Sequence, residues 1–200
     1  MEKDNKEKLI EAGEKLFAQK GLTGVSIREL SQAAGTNSAL ISYYFGGKEG
    51  LYSTILETQF LPMVMMLDSM AELKASPKEK IISYAKCVAR IHRKSPFLTK
   101  FLMGELTNPS RFFEIIVRKY IERVYRFLTE TLKEGIERGE FRPDIDVNAA
   151  SLTLAGMMNF YFIARPISRH FAPGGPEQDD SYVEQAVEIF LNGVMPYAGK

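Results

Sequence analysis

The fold of this chain is decided by residues 21–51, which read GLTGVSIRELSQAAGTNSALISYYFGGKEGL. Ser26, followed three residues later by Glu29, has the spacing of a capping box, so a helix is predicted to begin directly after Ser26. Gly35 can adopt the left-handed conformation that ends such a helix, and Asn37 is a favourable N-cap for a second, short one. This window therefore predicts two short helices joined by a tight turn, followed by a third helix.

Both short helices have an apolar face and a polar face. Helical spacing places one apolar set inward: Ile27, Leu30, Ala34, Leu40, Ile41 and Phe45. Polar side chains remain at the N-terminal end of the second helix, where they reach base edges in the major groove while neighbouring groups hold phosphates. The window therefore predicts a reader of double-stranded DNA, with the contact residues Thr23, Ser26, Arg28, Thr36, Asn37, Ser38, Tyr43, Tyr44 and Lys48. The alternative is a helical hairpin in a larger bundle, with tyrosines at its surface.

Four short motifs follow one another here: Leu16-Phe17-Ala18-Gln19-Lys20-Gly21, Ala34-Gly35, Ser42-Tyr43-Tyr44-Phe45 and Lys48-Glu49-Gly50-Leu51. Over residues 8–56 they resemble the tetracycline-repressor (TetR) family of bacterial transcription regulators. The resemblance implies that the residues just predicted, apart from Arg28, fall at positions that commonly touch DNA. Many members carry a tyrosine where this chain has Ser42, so the phosphate contact expected there passes to Tyr43 or is lost. Beyond about residue 60 the resemblance reduces to helix count and length.

Composition restricts the class of protein. The chain has 200 residues, 45% of them apolar, a formal net charge of +1 and one cysteine, Cys87. This content suffices for a sizeable core, and a single cysteine excludes an internal disulfide framework. No stretch approaches 18 uninterrupted apolar residues and the N-terminus is charged, so we expect a cytoplasmic protein without a membrane span. Two distant histidines, without a phosphate loop or metal-ligand spacing, predict neither an enzyme nor a metal site nor a cofactor.

Helical periodicity without a convincing strand predicts an all-α chain of about nine helices. We expect a helix-turn-helix DNA-binding domain over residues 1–47 and a ligand-binding and dimerisation domain over 48–200. Pro62 is expected to kink or end the helix that starts at Lys48. Further helices are predicted over 63–73, 78–94, 97–106, 110–138, 147–170 and 181–195. Residues 1–50 contain seven basic and seven acidic side chains, so DNA affinity must depend on where particular groups point.

The last two helices are predicted to form a homodimer interface. Residues 152–164 are apolar nearly all the way round, so their helix must be buried on more than one face. Helices 147–170 and 181–195 from each of two chains can close a four-helix interface, which the TetR resemblance also implies. A two-fold reader needs a palindromic operator with half-sites about 34 Å apart, or a multiple of that distance. The alternative is that both helices complete a monomeric core.

Methionine and aromatic side chains are dense between residues 60 and 165. Most must fill the core, yet methionines repack readily and together these side chains suit an adaptable apolar cavity. The residues expected to contact a small hydrophobic or aromatic effector are Met63, Met66, Met70, Phe101, Glu105, Phe113, Tyr120, Met158 and Tyr161. Candidate polar anchors are Arg90, His92, Glu105 and Asn159.

These features together predict a homodimeric repressor that binds its operator without ligand and releases it when an effector shifts the helix after Lys48. Two other functions stay open at this point. A ligand-independent DNA-binding regulator would have a solid helical core in place of the cavity. A helical carrier of lipids or drugs would keep ligand binding and lose nothing when Tyr43 and Lys48 are replaced.

Overall fold

A computed structural model describes residues 4–71, 74–165, 167, 170 and 175–196. Nine α-helices have their bounds within these residues, which contain no β-strand, so the all-α prediction is confirmed. Their bounds are Asn5–Lys20 (α1), Ile27–Ala34 (α2), Ala39–Phe45 (α3), Lys48–Ala71 (α4), Pro77–Lys94 (α5), Leu98–Thr107 (α6), Arg118–Glu137 (α7), Val147–Ile163 (α8) and Pro176–Val194 (α9). A π-helical segment, Phe113–Val117, leads directly into α7.

The chain packs as two compact units. The N-terminal unit consists of Met1–Leu61 with Phe97–Lys119, and the C-terminal unit consists of Pro62–Pro96 with Tyr120–Lys200. This division into units describes packing and does not test the domain boundary expected after residue 47, which stays a prediction. It places the first part of α4, together with α6, in the N-terminal unit. Helix α4 does not end at Pro62 but continues to Ala71, so it contributes to both units.

In the N-terminal unit, α1 packs against α2, α3 and α6. The capping box that starts α2 is confirmed: the Ser26 hydroxyl accepts from the Glu29 amide at 3.2 Å, and a Glu29 carboxylate oxygen accepts from the Ser26 amide at 2.9 Å. Gly35 ends α2 with φ 62°, in the left-handed region where a side chain would be strained. The turn between α2 and α3 therefore forms from local interactions alone.

Two local predictions in this unit were wrong by a small displacement. Ile27, expected to face inward, is 40% exposed, and Val25, just before the helix, is buried in its place. The short helix begins at Ala39, after Ser38, although Asn37 still caps it by accepting from the Ala39 amide at 2.9 Å. The first difference shows that helical spacing alone does not decide which residue is covered.

In the C-terminal unit, α5, α8 and α9 pack against one another. Lys80 of α5 donates to Glu134 of α7 at 2.6 Å. The last helix begins at Pro176, five residues earlier than predicted, because a proline fits the first turn of a helix. The helix predicted over 147–170 is bounded at Ile163, and residues 166, 168, 169 and 171–174 lie outside the described part of the chain. None of the described helices is long and apolar enough to cross a lipid bilayer.

The prediction that α8 is buried on more than one face is wrong for the single chain. Ser151, Leu154, Met158 and Phe162 are buried on one side. Leu152 and Phe160, on another side, are 64% and 67% exposed. An isolated chain therefore leaves a large apolar part of α8 in water.

His92 of α5 is buried and neutral in the folded C-terminal unit. Its ring stacks on Phe162 at 4.4 Å, and its Nε2 lies 3.1 Å from Asn159 Oδ1. The Asn159 amide nitrogen donates to Ala155, so Oδ1 is the atom that faces the ring and accepts from it. Burial lowers the pKa of His92 to about 4, with Arg165 acting in the same direction and the Asn159 bond opposing it.

Acid is therefore expected to destabilise the protein through His92. The unfolded chain takes up a proton on His92 below pH 6.5, whereas the folded protein does not until about pH 4, so stability falls as the pH decreases through this window. Between pH 7 and pH 5 the loss in unfolding free energy should be about 2 kcal/mol. Urea titrations of the wild type and His92→Gln at both pH values measure it. His170→Gln is the matched control, and equal pH dependence in all three proteins would contradict the assignment.

Candidate nucleic-acid interface

Helix α3 presents a polar and aromatic face to solvent. Ile41 is fully buried and anchors the helix, whereas Tyr43 is 80% exposed. The Tyr43 and Tyr44 rings meet edge to face with centroids 5.0 Å apart, which holds the exposed ring beside its neighbour. Asn37 and Ser38 are also exposed at the start of the helix. This short helix therefore combines an apolar anchor with projecting donors and acceptors, as groove reading requires.

Ser26, one of the predicted DNA contacts, already uses its hydroxyl proton within the protein. Its Oγ donates to the Glu29 carboxylate at 2.8 Å and accepts from the Glu29 amide. A hydroxyl has one proton to donate and a phosphate oxygen can only accept, so a Ser26 hydroxyl bond to DNA would replace its bond to the Glu29 carboxylate, while the two capping-box bonds do not use that proton. Glu29 is in turn bound by Lys20 at 2.7 Å, and this hydrogen bond, followed by those from Ser26, lowers the pKa of Glu29 to about 2.

Lys48, predicted to contact a phosphate, points its ammonium at two backbone carbonyls. Nζ donates to Leu22 O at 2.9 Å and to Val25 O at 2.8 Å. Lys48 is the first residue of α4, and both carbonyls belong to the loop between α1 and α2. An ammonium has three N–H donors, so one remains for another acceptor.

The other predicted DNA residues differ in exposure. Thr23 and Arg28 are exposed, in the loop before α2 and in its first turn. Thr36 is half-buried, and its hydroxyl oxygen is buried without a hydrogen-bond partner among the described residues. Thr23 and Arg28 are therefore open to a partner, whereas the Thr36 hydroxyl is turned inward.

Three of the residues predicted to bind an effector belong to the N-terminal unit, and two of them, Phe101 and Glu105, lie on α6. Glu105 is only 2% exposed, and its carboxylate accepts from the Tyr52 hydroxyl at 2.6 Å and from the Ser110 amide at 3.1 Å. The Tyr52 ring lies 5.1 Å from that of Phe17 and 6.0 Å from that of Phe101. Burial, followed by the Glu105 bond, raises the pKa of Tyr52. Phe113, a third predicted contact, belongs to the same unit.

The other six predicted effector contacts lie in the C-terminal unit. Met63, Met66, Met70, Tyr120 and Met158 are all buried. Tyr161 is half-buried and donates from its hydroxyl to Asp179 at 3.0 Å, and Arg165 pairs with the same carboxylate. Of the nine predicted residues, three therefore belong to the N-terminal unit and six to the C-terminal unit.

Sequence reasoning missed the hydrogen-bonded partners of these residues. Tyr52 and Glu105 are 53 positions apart, and Lys48 is 26 and 23 positions from its two carbonyl partners. Helical spacing reports only on neighbours within about one or two turns, so no signal in one sequence links such pairs. The described residues contain no group of three or more His, Cys, Asp or Glu side chains that could hold a metal ion.

The exposed polar face of α3, on a scaffold with a capping box and a left-handed glycine turn, matches known regulators. Residues 9–55 match the family model of the bacterial regulatory proteins of the tetR family. Residues 74–194 match the tetracyclin repressor-like C-terminal domain. The chain belongs to the TetR family. It is therefore a DNA-binding transcriptional regulator, and the DNA-reading prediction is confirmed at this level.

Individual TetR-family proteins are similar over nearly the whole chain. The probable HTH-type transcriptional regulator YttP of Bacillus subtilis (strain 168) is 29% identical over 200 residues, which cover 97% of this chain and 95% of YttP. The HTH-type transcriptional repressor KstR2 of Mycobacterium tuberculosis (strain CDC 1551 / Oshkosh) is 25% identical over 189 residues, covering 93% of this chain and 90% of KstR2.

A solved structure supports the fold across the same length. The structure of AibR in complex with isovaleryl coenzyme A and operator DNA superposes with a TM-score of 0.75 at 18% identity, covering 93% of this chain and 97% of AibR. YttP is described as a probable transcriptional regulator and KstR2 as a transcriptional repressor, and AibR was solved with operator DNA bound.

Proposed function

We propose that this TetR-family regulator is a cytoplasmic homodimeric repressor that leaves a palindromic operator when a small hydrophobic or aromatic effector binds its C-terminal unit. The observation that carries the proposal is the exposed face of α3, where Tyr43 is 80% exposed beside Asn37 and Ser38. Repressor action is supported by KstR2, which is similar over 93% of this chain.

In this proposal the DNA contacts divide by chemistry. Asn37, Ser38 and Tyr43 read bases and adjacent backbone from α3, while Thr23 and Arg28 hold phosphates from the loop before α2 and from α2 itself. Ser26 contributes by capping α2 and so orienting its amides. Because residues 1–50 carry equal numbers of basic and acidic side chains, the affinity for DNA depends on these few groups, and its dependence on salt should be modest.

Tyr43→Ala is expected to weaken operator binding by roughly fivefold to 150-fold, since a single good groove contact contributes about 1–3 kcal/mol. The exposed ring supports little of the core, so the melting temperature should stay within about 2 °C of wild type. Fluorescence anisotropy with a palindromic duplex selected from a random library measures the affinity. Leu106→Ala, another exposed large residue of the N-terminal unit, is the control. If Tyr43→Ala binds the operator with wild-type affinity, α3 is not part of the DNA interface.

The homodimer is proposed to form through α8 and α9. Leu152, Phe160 and Ile189 are each more than 60% exposed on these two helices. Gly156 and Gly193 are exposed on the same helices, and a Cβ at either would meet no atom within 4 Å. Exposed apolar side chains next to glycines allow two helix backbones to approach closely. A four-helix interface would cover this surface.

Effector binding is proposed in the C-terminal unit, at the expected contacts Met63, Met66, Met70, Tyr120, Met158 and Tyr161. Phe101, Glu105 and Phe113, which belong to the N-terminal unit, stay expected contacts of the effector. If the effector binds the form that does not bind DNA a hundredfold more tightly, the coupling free energy between effector binding and DNA binding is about 2.7 kcal/mol. Helix α4 is the proposed coupling element, because it runs from Lys48 in the N-terminal unit to Ala71 in the C-terminal unit.

A ligand-independent regulator is the second candidate, and the burial of Met63 and Met158 to 1% exposure or less favours it. A titration of the protein–duplex complex separates the two functions. Isovaleryl coenzyme A, longer acyl coenzyme A thioesters and uncharged aromatic compounds are the probes, because AibR was solved with the first of these. Release of DNA together with a thermal shift supports the effector. If the protein stays fully bound to the duplex in the presence of every probe, the ligand-independent regulator with a solid helical core is supported.

A further inference from the structure

The loop between α1 and α2, residues 21–26, is held in place by a side chain from α4. The Lys48 ammonium lies between two carbonyl oxygens of this loop, 2.9 Å from that of Leu22 and 2.8 Å from that of Val25. These bonds are partly buried, so water competes for them less than at an open surface. A charged donor with two neutral acceptors forms stronger hydrogen bonds than an uncharged one would.

The two carbonyls flank Thr23 and Gly24, the middle of the loop. Gly24 leaves little slack, since a Cβ there would lie 2.4 Å from the Lys20 carbonyl oxygen at the end of α1. On the other side, α4 follows α3 through Gly46 and Gly47, both with positive φ. One ammonium therefore connects the loop that precedes α2 with the corner that follows α3.

We infer that Lys48 is a positioning residue for DNA binding, which fixes the α1–α2 loop to the first turn of α4 so that the loop and α3 reach DNA in a single geometry. This inference rests on the proposed DNA interface and assigns Lys48 a different task within it. A phosphate contact would use the charge of Lys48. The positioning role uses its length and its fit between two carbonyls.

Arginine separates these two roles. A guanidinium binds phosphate as well as an ammonium does, often with two parallel bonds, so Lys48→Arg would keep or improve a phosphate contact. Its group is longer and planar, with N–H donors in fixed directions, so we expect it to fit poorly in the position where one nitrogen donates to both Leu22 O and Val25 O. Lys48→Met removes the charge and keeps most of the stem, so both roles predict weaker DNA binding for it.

The experiment compares the full-length wild type, Lys48→Arg and Lys48→Met. We expect both variants to bind the selected palindromic duplex about tenfold more weakly and to exchange the amides of residues 21–26 at least fivefold faster without DNA. For Lys48→Arg, the slope of log K against log salt should match that of the wild type. Arg28→Met is the matched control, with unchanged loop exchange and a slope smaller by about 1.

Wild-type affinity and wild-type loop exchange in Lys48→Arg would overturn the inference and make Lys48 a phosphate contact. Unchanged loop exchange in both variants would also overturn it, whatever the DNA result. If the wild type selects no duplex, the proposed function fails instead. The exchange of the DNA-free protein still decides whether Lys48 holds the loop.

Discussion

Phe160→Glu and Ile189→Glu, introduced singly, are expected to convert the protein to a monomer that binds its operator about 10²–10⁴-fold more weakly. Each places a carboxylate in the proposed α8–α9 interface, where an unpaired charge would be buried. The loss in affinity follows because a monomer forgoes the second half-site, whose binding is intramolecular in the dimer. Sedimentation velocity and anisotropy on the same samples give the mass and the affinity.

Ile115→Glu is the matched control for the dimer experiment. Ile115 is 55% exposed in the N-terminal unit and lies on neither α8 nor α9. It should leave both the mass and the operator affinity unchanged. A dimer that persists in both Phe160→Glu and Ile189→Glu would show that another surface joins the two chains.

Gly135→Ala is expected to lower the unfolding free energy by about 3 kcal/mol, the upper end of the usual cost of overfilling a core. Gly135 lies in α7, and a Cβ there would lie 2.0 Å from Cδ2 and 2.2 Å from Cε2 of the Phe141 ring. Phe141 is 2% exposed, so its ring has no free space into which to turn. Urea denaturation of the two proteins measures the difference.

A second substitution and a control glycine test whether the Phe141 ring causes the loss of stability in Gly135→Ala. Adding Phe141→Leu removes the ring and should make the double variant more stable than the sum of the two single changes predicts. Gly104→Ala, in α6, meets no atom within 4 Å and should stabilise by less than about 1 kcal/mol through helix propensity. Additive losses in the double variant would show that the ring contact does not cause the destabilisation.

Helix α6 is hydrogen-bonded to the first part of α4, the helix proposed to couple effector binding to DNA binding. The Tyr52–Glu105 hydrogen bond joins α6 to the same part of α4 that begins at Lys48. Sequence reasoning placed Glu105 among the effector contacts as a candidate polar anchor of an apolar cavity. In the fold that carboxylate is already satisfied by Tyr52 and Ser110.

Local sequence was sufficient to predict the helix-turn-helix. A capping box forms between residues three apart, and a left-handed glycine ends a helix wherever it occurs, so Ser26, Glu29 and Gly35 act without help from the rest of the chain. The polar side chains of α3 were predictable for the same reason. Helix bounds were less predictable, and the last helix starts five residues before its predicted position because Pro176 fits its first turn.

Only the tertiary structure decided which partner each polar group has. Lys48 binds the carbonyls of Leu22 and Val25, and Glu105 binds Tyr52, because helices distant in sequence pack side by side and bury these groups together. Burial then requires that each donor and acceptor be paired, and the pairing follows from three-dimensional packing. Residue types and helical spacing therefore established a DNA-reading, all-helical regulator, while folding determined which of its polar residues are available to DNA and which hold the protein together.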